Sequence, residues 1–494
     1  MARPVLTVLA LLIAVVSIFV LETARYGVSY SERVMGQTPV TTLARADSDG
    51  PEVVIAHGFA GSREMMQGYG LMLAQAGYRV HLFDFEGHGA HPVPMSGDVN
   101  SIDGTTRKLM AQTQAVIDAV AGNDPVALLG HSMATDVLIR VAVETETGPL
   151  VLLSAFSQAV TATQPANMLL ISGQWEPHLR DFGVKAVQMV DPKAGEGQTV
   201  RTDTVTRAAI YAPWTEHVAI LQSRAGRAAA LEWLNAYYDR TTTASVPPTG
   251  WAFLALMAAI TILSAALARL ALPEQSLPSS HQPAFGRFAL TLAVPAIATP
   301  FLAIPLDFGV LPVLVADYLA IHLGIFGLLS LGMQRLLWGR LSLGWTGARA
   351  MVVSVILLLL WGIGVFGFAL DRYGANFFPI QERLPIIAAL IIGAVPFMVA
   401  DAQLVWKASL WRRIAARVAL LVSLGIAVAL DLEGLFFLLI IAPVIVLFFF
   451  VHGAMGRAFG KRAGPLAAGL ALGTILAWAL GVSFPMFAAT GGGA

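Results

Sequence analysis

The chain has 494 residues, of which 13% are charged and 56% hydrophobic, with no cysteine, a net charge of zero and mean hydropathy +0.70. About a quarter of an ordinary soluble chain is charged, so this composition excludes a soluble enzyme over the whole length, a disordered chain and a basic nucleic-acid binder. Without cysteine there is no disulfide, no thiolate nucleophile and no cysteine-ligated metal.

The first element is an apolar run, Leu6 to Leu21, preceded by Arg3 and followed by Glu22 and Arg25. No clean small-x-small cleavage site follows it, so residues 1–24 are read as an uncleaved signal anchor rather than a cleaved signal peptide. Charge then divides unevenly: residues 1–249 carry 40 of the 62 charged residues and residues 250–494 carry 22. The chain is accordingly divided into the anchor, a water-compatible domain over 25–249 and a membrane domain over 250–494.

Within 25–249, five short runs rich in Val, Leu and Ile read as buried strands: Val53–Ala56, Val80–Phe83, Val126–Leu129, Leu150–Leu153 and Met168–Ile171. Between them Met65–Ala76, Thr105–Val120 and Thr135–Glu144 have helical spacing. This alternation predicts an α/β fold with a mostly parallel sheet and helices on both faces, where chemistry gathers at the carboxyl ends of the strands. Strand Val126–Leu129 runs into Gly130-His131-Ser132-Met133-Ala134 and then a helix, the pattern of a nucleophile elbow with Ala134 where the motif usually has Gly. Val53–Ala56 ends in His57-Gly58-Phe59, where a backbone N–H can join that of Met133 to face a developing oxyanion. Val80–Phe83 ends in Asp84-Phe85-Glu86-Gly87-His88-Gly89.

An HG turn, a D-x-x-G-H-G loop and the elbow in this order resemble the α/β-hydrolase superfamily, over roughly residues 50–240. The resemblance implies a Ser–acid–His order and an acyl-enzyme mechanism. It assigns Ser132 as nucleophile and places the acid three residues after Gly173, at Glu176, with Asp181 as the alternative. The histidine is expected after one more strand, Ala208–Tyr211, at His217, ahead of a final amphipathic helix over His217–Tyr238. Phe59 and Met133 are the expected oxyanion donors. His57, His88 and His131 are read as turn and loop residues, and His88-x-x-His91 lacks a third metal ligand, so neither a metal nor a cofactor is expected. Only residues 154–167 separate strand Leu150–Leu153 from the acid strand, too few for a multi-helix cap, so an open site is expected.

From Trp251 onward, apolar runs long enough to cross a bilayer are read near 251–268, 288–305, 310–333, 350–370, 384–402, 414–430, 434–451 and 466–487. Alternate connections hold 12 basic residues: Arg269, Arg287, Arg335, Arg340, Arg349, Lys407, Arg412, Arg413, Arg417, Arg457, Lys461 and Arg462. The others hold only Arg372 and Arg383. The positive-inside bias and an N-in anchor agree, and both predict a domain facing the periplasm or cell exterior of a bacterial inner or plasma membrane. Asp317 and His322 lie 140° apart on one span, so each is expected to need a partner from another span. Asp401, near a helix end, is expected to snorkel.

Together these features predict a membrane-bound serine hydrolase of carboxylic esters or thioesters, lipase-like, with acyl or lipid-like substrates, the bilayer as partner and no nucleic acid. Oligomeric state is left open. Acyl transfer by the same three residues is the first competing expectation. A transporter or scaffold whose outer domain only binds is the second.

Overall fold

A computed structural model describes residues 2–98, 102–273, 282–307, 309–313, 315–339, 341 and 347–488. Arg340 and the side chain of Arg3, both used above, lie outside the described residues. Two compact units emerge, and neither is one continuous stretch. One comprises Val15–Ala255 with Asp371–Asn376 and Pro485–Ala494; the other comprises Met1–Ala14, Leu256–Leu370 and Phe377–Phe484.

The chain opens with helix α1 (Ala2–Arg25). The first unit is built on nine strands: β1 (Ser29–Met35), β2 (Thr38–Ala44), β3 (Glu52–Ala56), β4 (Arg79–Phe83), β5 (Ala127–His131), β6 (Leu150–Leu153), β7 (Asn167–Gly173), β8 (Thr199–Arg201) and β9 (Thr206–Ala212). Their spatial order is β1-β2-β4-β3-β5-β6-β7-β9-β8. The inner pairs β4-β3-β5-β6-β7-β9 are parallel, and the flanking pairs β1-β2, β2-β4 and β8-β9 are antiparallel. All six expected strands are present. The hairpin β1-β2 and the edge strand β8 were not expected: β1 is exposed almost throughout, so it lacks the apolar run that betrays the inner strands.

Helices α2 (Gln67–Gln75), α3 (Arg107–Val120), α4 (Met133–Glu144), α5 (Pro177–Gln188) and α6 (Arg224–Tyr237) accompany the sheet. Alternate strand residues Val53, Ile55, Val80, Leu82, Leu129, Val151 and Ile171 join α2 and α6 in one buried cluster. Their neighbours Val54, Leu128, Leu152 and Leu170 are buried too, so the strands are apolar on both faces, as parallel strands covered on both sides must be. The expected single helix over His217–Tyr238 is instead broken. A 3-10 turn over Ala219–Gln222 precedes α6, and Ser223 caps α6 by accepting the Gly226 N–H at 3.1 Å.

The helical region contains α7 (Thr249–Ala271), α8 (Phe285–Ala303), α9 (Ala316–Trp338), α10 (Ala348–Leu359), α11 (Phe366–Tyr373), α12 (Leu384–Leu404), α13 (Leu410–Leu430), the single turn α14 (Leu432–Leu435) and α15 (Leu438–Ser483). A π-helical turn over Leu360–Val365 makes α10 and α11 one 26-residue span. Among the described residues, eight helices are long and apolar enough to cross a membrane, α1 included. The 46-residue α15 is two arms, because Gly464 sits at φ 87°, ψ 165° and Pro465 follows it. Gly456 opposes Leu472 and Gly460 opposes Ala468, so the arms double back on each other about Gly464. The second arm stops at Ser483, short of the expected 487, because Phe484 precedes Pro485 and takes extended geometry.

Two buried polar groups depart from expectation. Asp401 is buried and paired with Arg417 at 3.5 Å, so it does not snorkel. His322 bonds Tyr318, one turn back on its own helix, at 2.9 Å, and Asp317 accepts the Leu311 N–H at 2.8 Å. Neither uses another span in these bonds.

Candidate active site

The carboxyl ends of β3, β4, β5, β7 and β9 carry the residues singled out by the sequence. Ser132 follows β5 with φ 54° and ψ −119°, a strained geometry that lifts its hydroxyl from the strand end ahead of α4. Small neighbours allow the turn. A Cβ at Gly130 would meet Leu138 Cδ1 at 2.6 Å and Ala134 Cβ at 3.2 Å, so Gly130 cannot grow. Ala134 is fully buried, which explains why its methyl is compatible with the elbow. A Cβ at Gly58 would lie 2.9 Å from His131 Nδ1 and 3.0 Å from Ser132 Cβ, so the HG turn must approach as bare backbone.

Ser132, His217 and Glu176 come together. Ser132 Oγ is 2.8 Å from His217 Nε2, and His217 Nδ1 is 2.6 Å from Glu176 Oε1. Glu176 Oε2 accepts the Ser154 hydroxyl at 2.7 Å and the Gly173 N–H at 2.6 Å. Burial acts to raise the Glu176 carboxyl, but the bonds from His217, Ser154 and Gly173 outweigh it and hold the group below its ordinary value. Asp181 lies within α5, and of the two candidate acids it is Glu176 that bonds the imidazole of His217. Ser154, at the end of β6 with φ 53°, was missed by sequence reasoning; it carries no motif and becomes relevant only because β6 pairs with β7.

The other histidines build the frame. His131 Nε2 donates to the His217 carbonyl at 2.8 Å, and burial with the neighbouring His217 lowers its pKa to about 4, so it stays neutral. His57 donates from Nδ1 to the Gly58 carbonyl at 2.7 Å and accepts the Phe85 N–H on Nε2 at 3.1 Å, which ties the HG turn to the D-x-x-G-H-G loop. Asp84 holds that loop by accepting from Arg63 N and Nη1, both at 2.8 Å, and from Ala90 N at 3.0 Å. Met133 is the first residue of α4, where backbone N–H groups have no partner inside the helix. Phe59 stands in the turn after β3, its ring edge-on to His88 at 5.6 Å.

A second layer comes from far along the chain. Met486 donates to the Gly87 carbonyl at 2.8 Å and accepts the Met95 N–H at 2.8 Å, and Ala488 donates to the Met95 carbonyl at 2.7 Å. The Phe487 ring lies 6.3 Å from that of Phe59. Gly87, at φ 74°, has no room for a Cβ against the Met486 carbonyl. Asn376 donates its N–H to Ser62 Oγ at 3.0 Å, and Arg372 grips Glu22 through two bonds of 2.7 and 2.8 Å. The site itself is open: the His217 side chain is 45% exposed, and Phe156, Trp175 and Trp214 are exposed at the same strand ends.

Residues 50–216 match a family described as serine aminopeptidase, S33. No curated protein matches the chain. Similar solved structures include dienelactone hydrolase from Anabaena variabilis, 15% identical over 43% of this chain and 99% of that one, TM-score 0.33. They also include epoxide hydrolase VrEH1 from Vigna radiata, 22% identical over 26% of this chain and 39% of that one, TM-score 0.22. The chain thus spans about two-fifths of the length of VrEH1. The sheet domain is of the α/β-hydrolase type, and the part of the chain that matches a hydrolase family lies within it.

Proposed function

We propose that the protein is a membrane-embedded serine hydrolase acting on carboxylic esters or thioesters, with its site on the periplasmic or extracellular side. The observation that carries this reading is the continuous Ser132–His217–Glu176 chain of hydrogen bonds, 2.8 and 2.6 Å long, on a strained elbow. His217 Nε2 takes the Ser132 proton as Oγ attacks the acyl carbon. Glu176 fixes the tautomer through Nδ1–H and stabilises the imidazolium. The N–H groups of Phe59 and Met133 receive the oxyanion. His217 returns the proton to the departing alkoxide or thiolate, and water then repeats the sequence to release the acid and regenerate the serine.

Exposed Phe156, Trp175 and Trp214 beside an uncapped site support an apolar acyl group drawn from an interface. The bidentate Glu22–Arg372 pair supports retention of α1, because cleavage after it would discard a bonded partner. The basic residues on alternate connections support the outward placement. The family description favours one second reading, hydrolysis of an amino-terminal peptide bond by the same triad.

The test is labelling of intact spheroplasts with a membrane-impermeant fluorophosphonate. Wild type should be labelled, whereas Ser132→Ala and His217→Ala should fall by about a thousandfold or more in rate. Absence of wild-type labelling even by a permeant probe in lysed membranes overturns the reading. Comparison of ester, thioester and aminoacyl-anilide turnover separates the two substrate classes.

A further inference from the structure

A cavity of about 520 Å³ lies within the helical unit, far along the chain from the triad, where the end of α12, the start of α13 and the turn of the α15 hairpin meet. Its charged lining is Lys407, Arg413, Arg417, Arg457 and Lys461 against Asp401. The size is within the range of small-molecule sites, roughly 300–1,000 Å³. One carboxylate can balance one cation, and Asp401 already pairs with Arg417 at 3.5 Å.

The arrangement differs from that of basic residues merely resting at a membrane surface. Neighbouring Arg412 uses its guanidinium on Gln282 and the Pro283 carbonyl, and Arg462 donates to the Leu272 carbonyl. In the cavity, by contrast, the buried Nε atoms of Arg413 and Arg417 have no hydrogen-bond partner among the described residues. The guanidiniums also converge. A Cβ at Gly453 would lie 3.5 Å from Arg417 Nη2 and 3.7 Å from Arg457 Nη1, so two cations flank one bare stretch of helix. Gly456 and Gly460 also line the cavity, where the two arms of α15 pack against each other. Like charges held this close in a partly closed space call for an anion between them.

We infer that this cavity binds a phosphate-bearing anion at the depth of the membrane surface. The inference rests on the eight apolar helices spanning a bilayer and is independent of the triad's chemistry. Forked guanidiniums match phosphate oxygens in pairs, and basic pockets between spans suit anionic headgroups. Trp406, in the lining beside Lys407, is the type of side chain that settles at a membrane interface. A lipid headgroup and free phosphate present the same chemistry to these residues.

The test uses the purified full chain in detergent, titrated separately with phosphatidylglycerol, inorganic phosphate and phosphatidylcholine while thermal stability is followed. Phosphatidylglycerol or phosphate should raise the melting temperature saturably, with phosphatidylcholine ineffective. The ligand that does so identifies the source. Half-saturation should weaken about tenfold or more in Arg413→Gln/Arg457→Gln and stay unchanged in Arg412→Gln. No shift with either anion, or equal shifts in wild type and the double variant, overturns the inference. Should the double variant not fold, native mass spectrometry of wild type from equimolar mixed lipids decides. Preferential retention of phosphatidylglycerol supports the site, and equal retention of the two lipids overturns it.

Discussion

At the scale of single residues, the site's chemistry depends on how Glu176 is held. Its carboxylate takes three bonds, from His217, Ser154 and Gly173, and each favours the ionised form. A carboxyl whose folded value lies below its ordinary one contributes stability that is present above that ordinary value and lost as pH falls through the lowered one. Ser154→Ala removes one bond to the charged form, so the Glu176 carboxyl should rise toward its ordinary value. Ester turnover should then drop about tenfold, and its acid-side loss should begin at a higher pH than in wild type. A pH–rate profile with a soluble ester checks this; an unshifted acid limb would leave Ser154 a packing residue. Ser132, His217 and Glu176 were legible because motif residues at strand ends recur in a fixed order. Ser154 was not, because its value comes from the pairing of β6 with β7 across residues that are distant in sequence.

At the scale of elements, the inner strands and helices α2, α3 and α4 followed from apolar runs and helical spacing, and their ends agree with expectation to within two residues. The misses share a physical cause: their order comes from partners elsewhere in the chain. β1 is almost wholly exposed and is defined by its register with β2, Ser29 opposite Ala44 through Met35 opposite Thr38. Segment Pro485–Ala488 looks like the end of an apolar span, yet it leaves the helix and bonds Gly87 and Met95. Through Phe487 it also reaches Phe59, whose N–H is one of the two proposed oxyanion donors. Phe487→Ala should therefore lower kcat several-fold while leaving the protein folded and Ser132 labelled. Unchanged kcat for a chromogenic ester would show that the segment does no more than cover the loop.

At the scale of the whole molecule, the uneven charge and the long apolar runs were enough to separate a sheet-bearing part from a helical one. They could not reveal that Asp371–Asn376 and residues 485–488 belong with the sheet, since membership of a compact unit is decided by contacts and not by composition. That interleaving bears on how the protein is made. Translation runs from the amino end, and the nine strands, with Ser132, Glu176 and His217, have all been synthesised before α7 begins. The loop formed by Gly87 and Met95 nevertheless waits for Met486 and Ala488, after every later helix has been synthesised. On the proposed reading, the loop beside the triad is therefore completed only after the last helix has been made. Ribosome-bound chains arrested before Pro485 should turn over ester more slowly than chains arrested well beyond Ala488, and equal rates would mean that the enzyme matures before its membrane half.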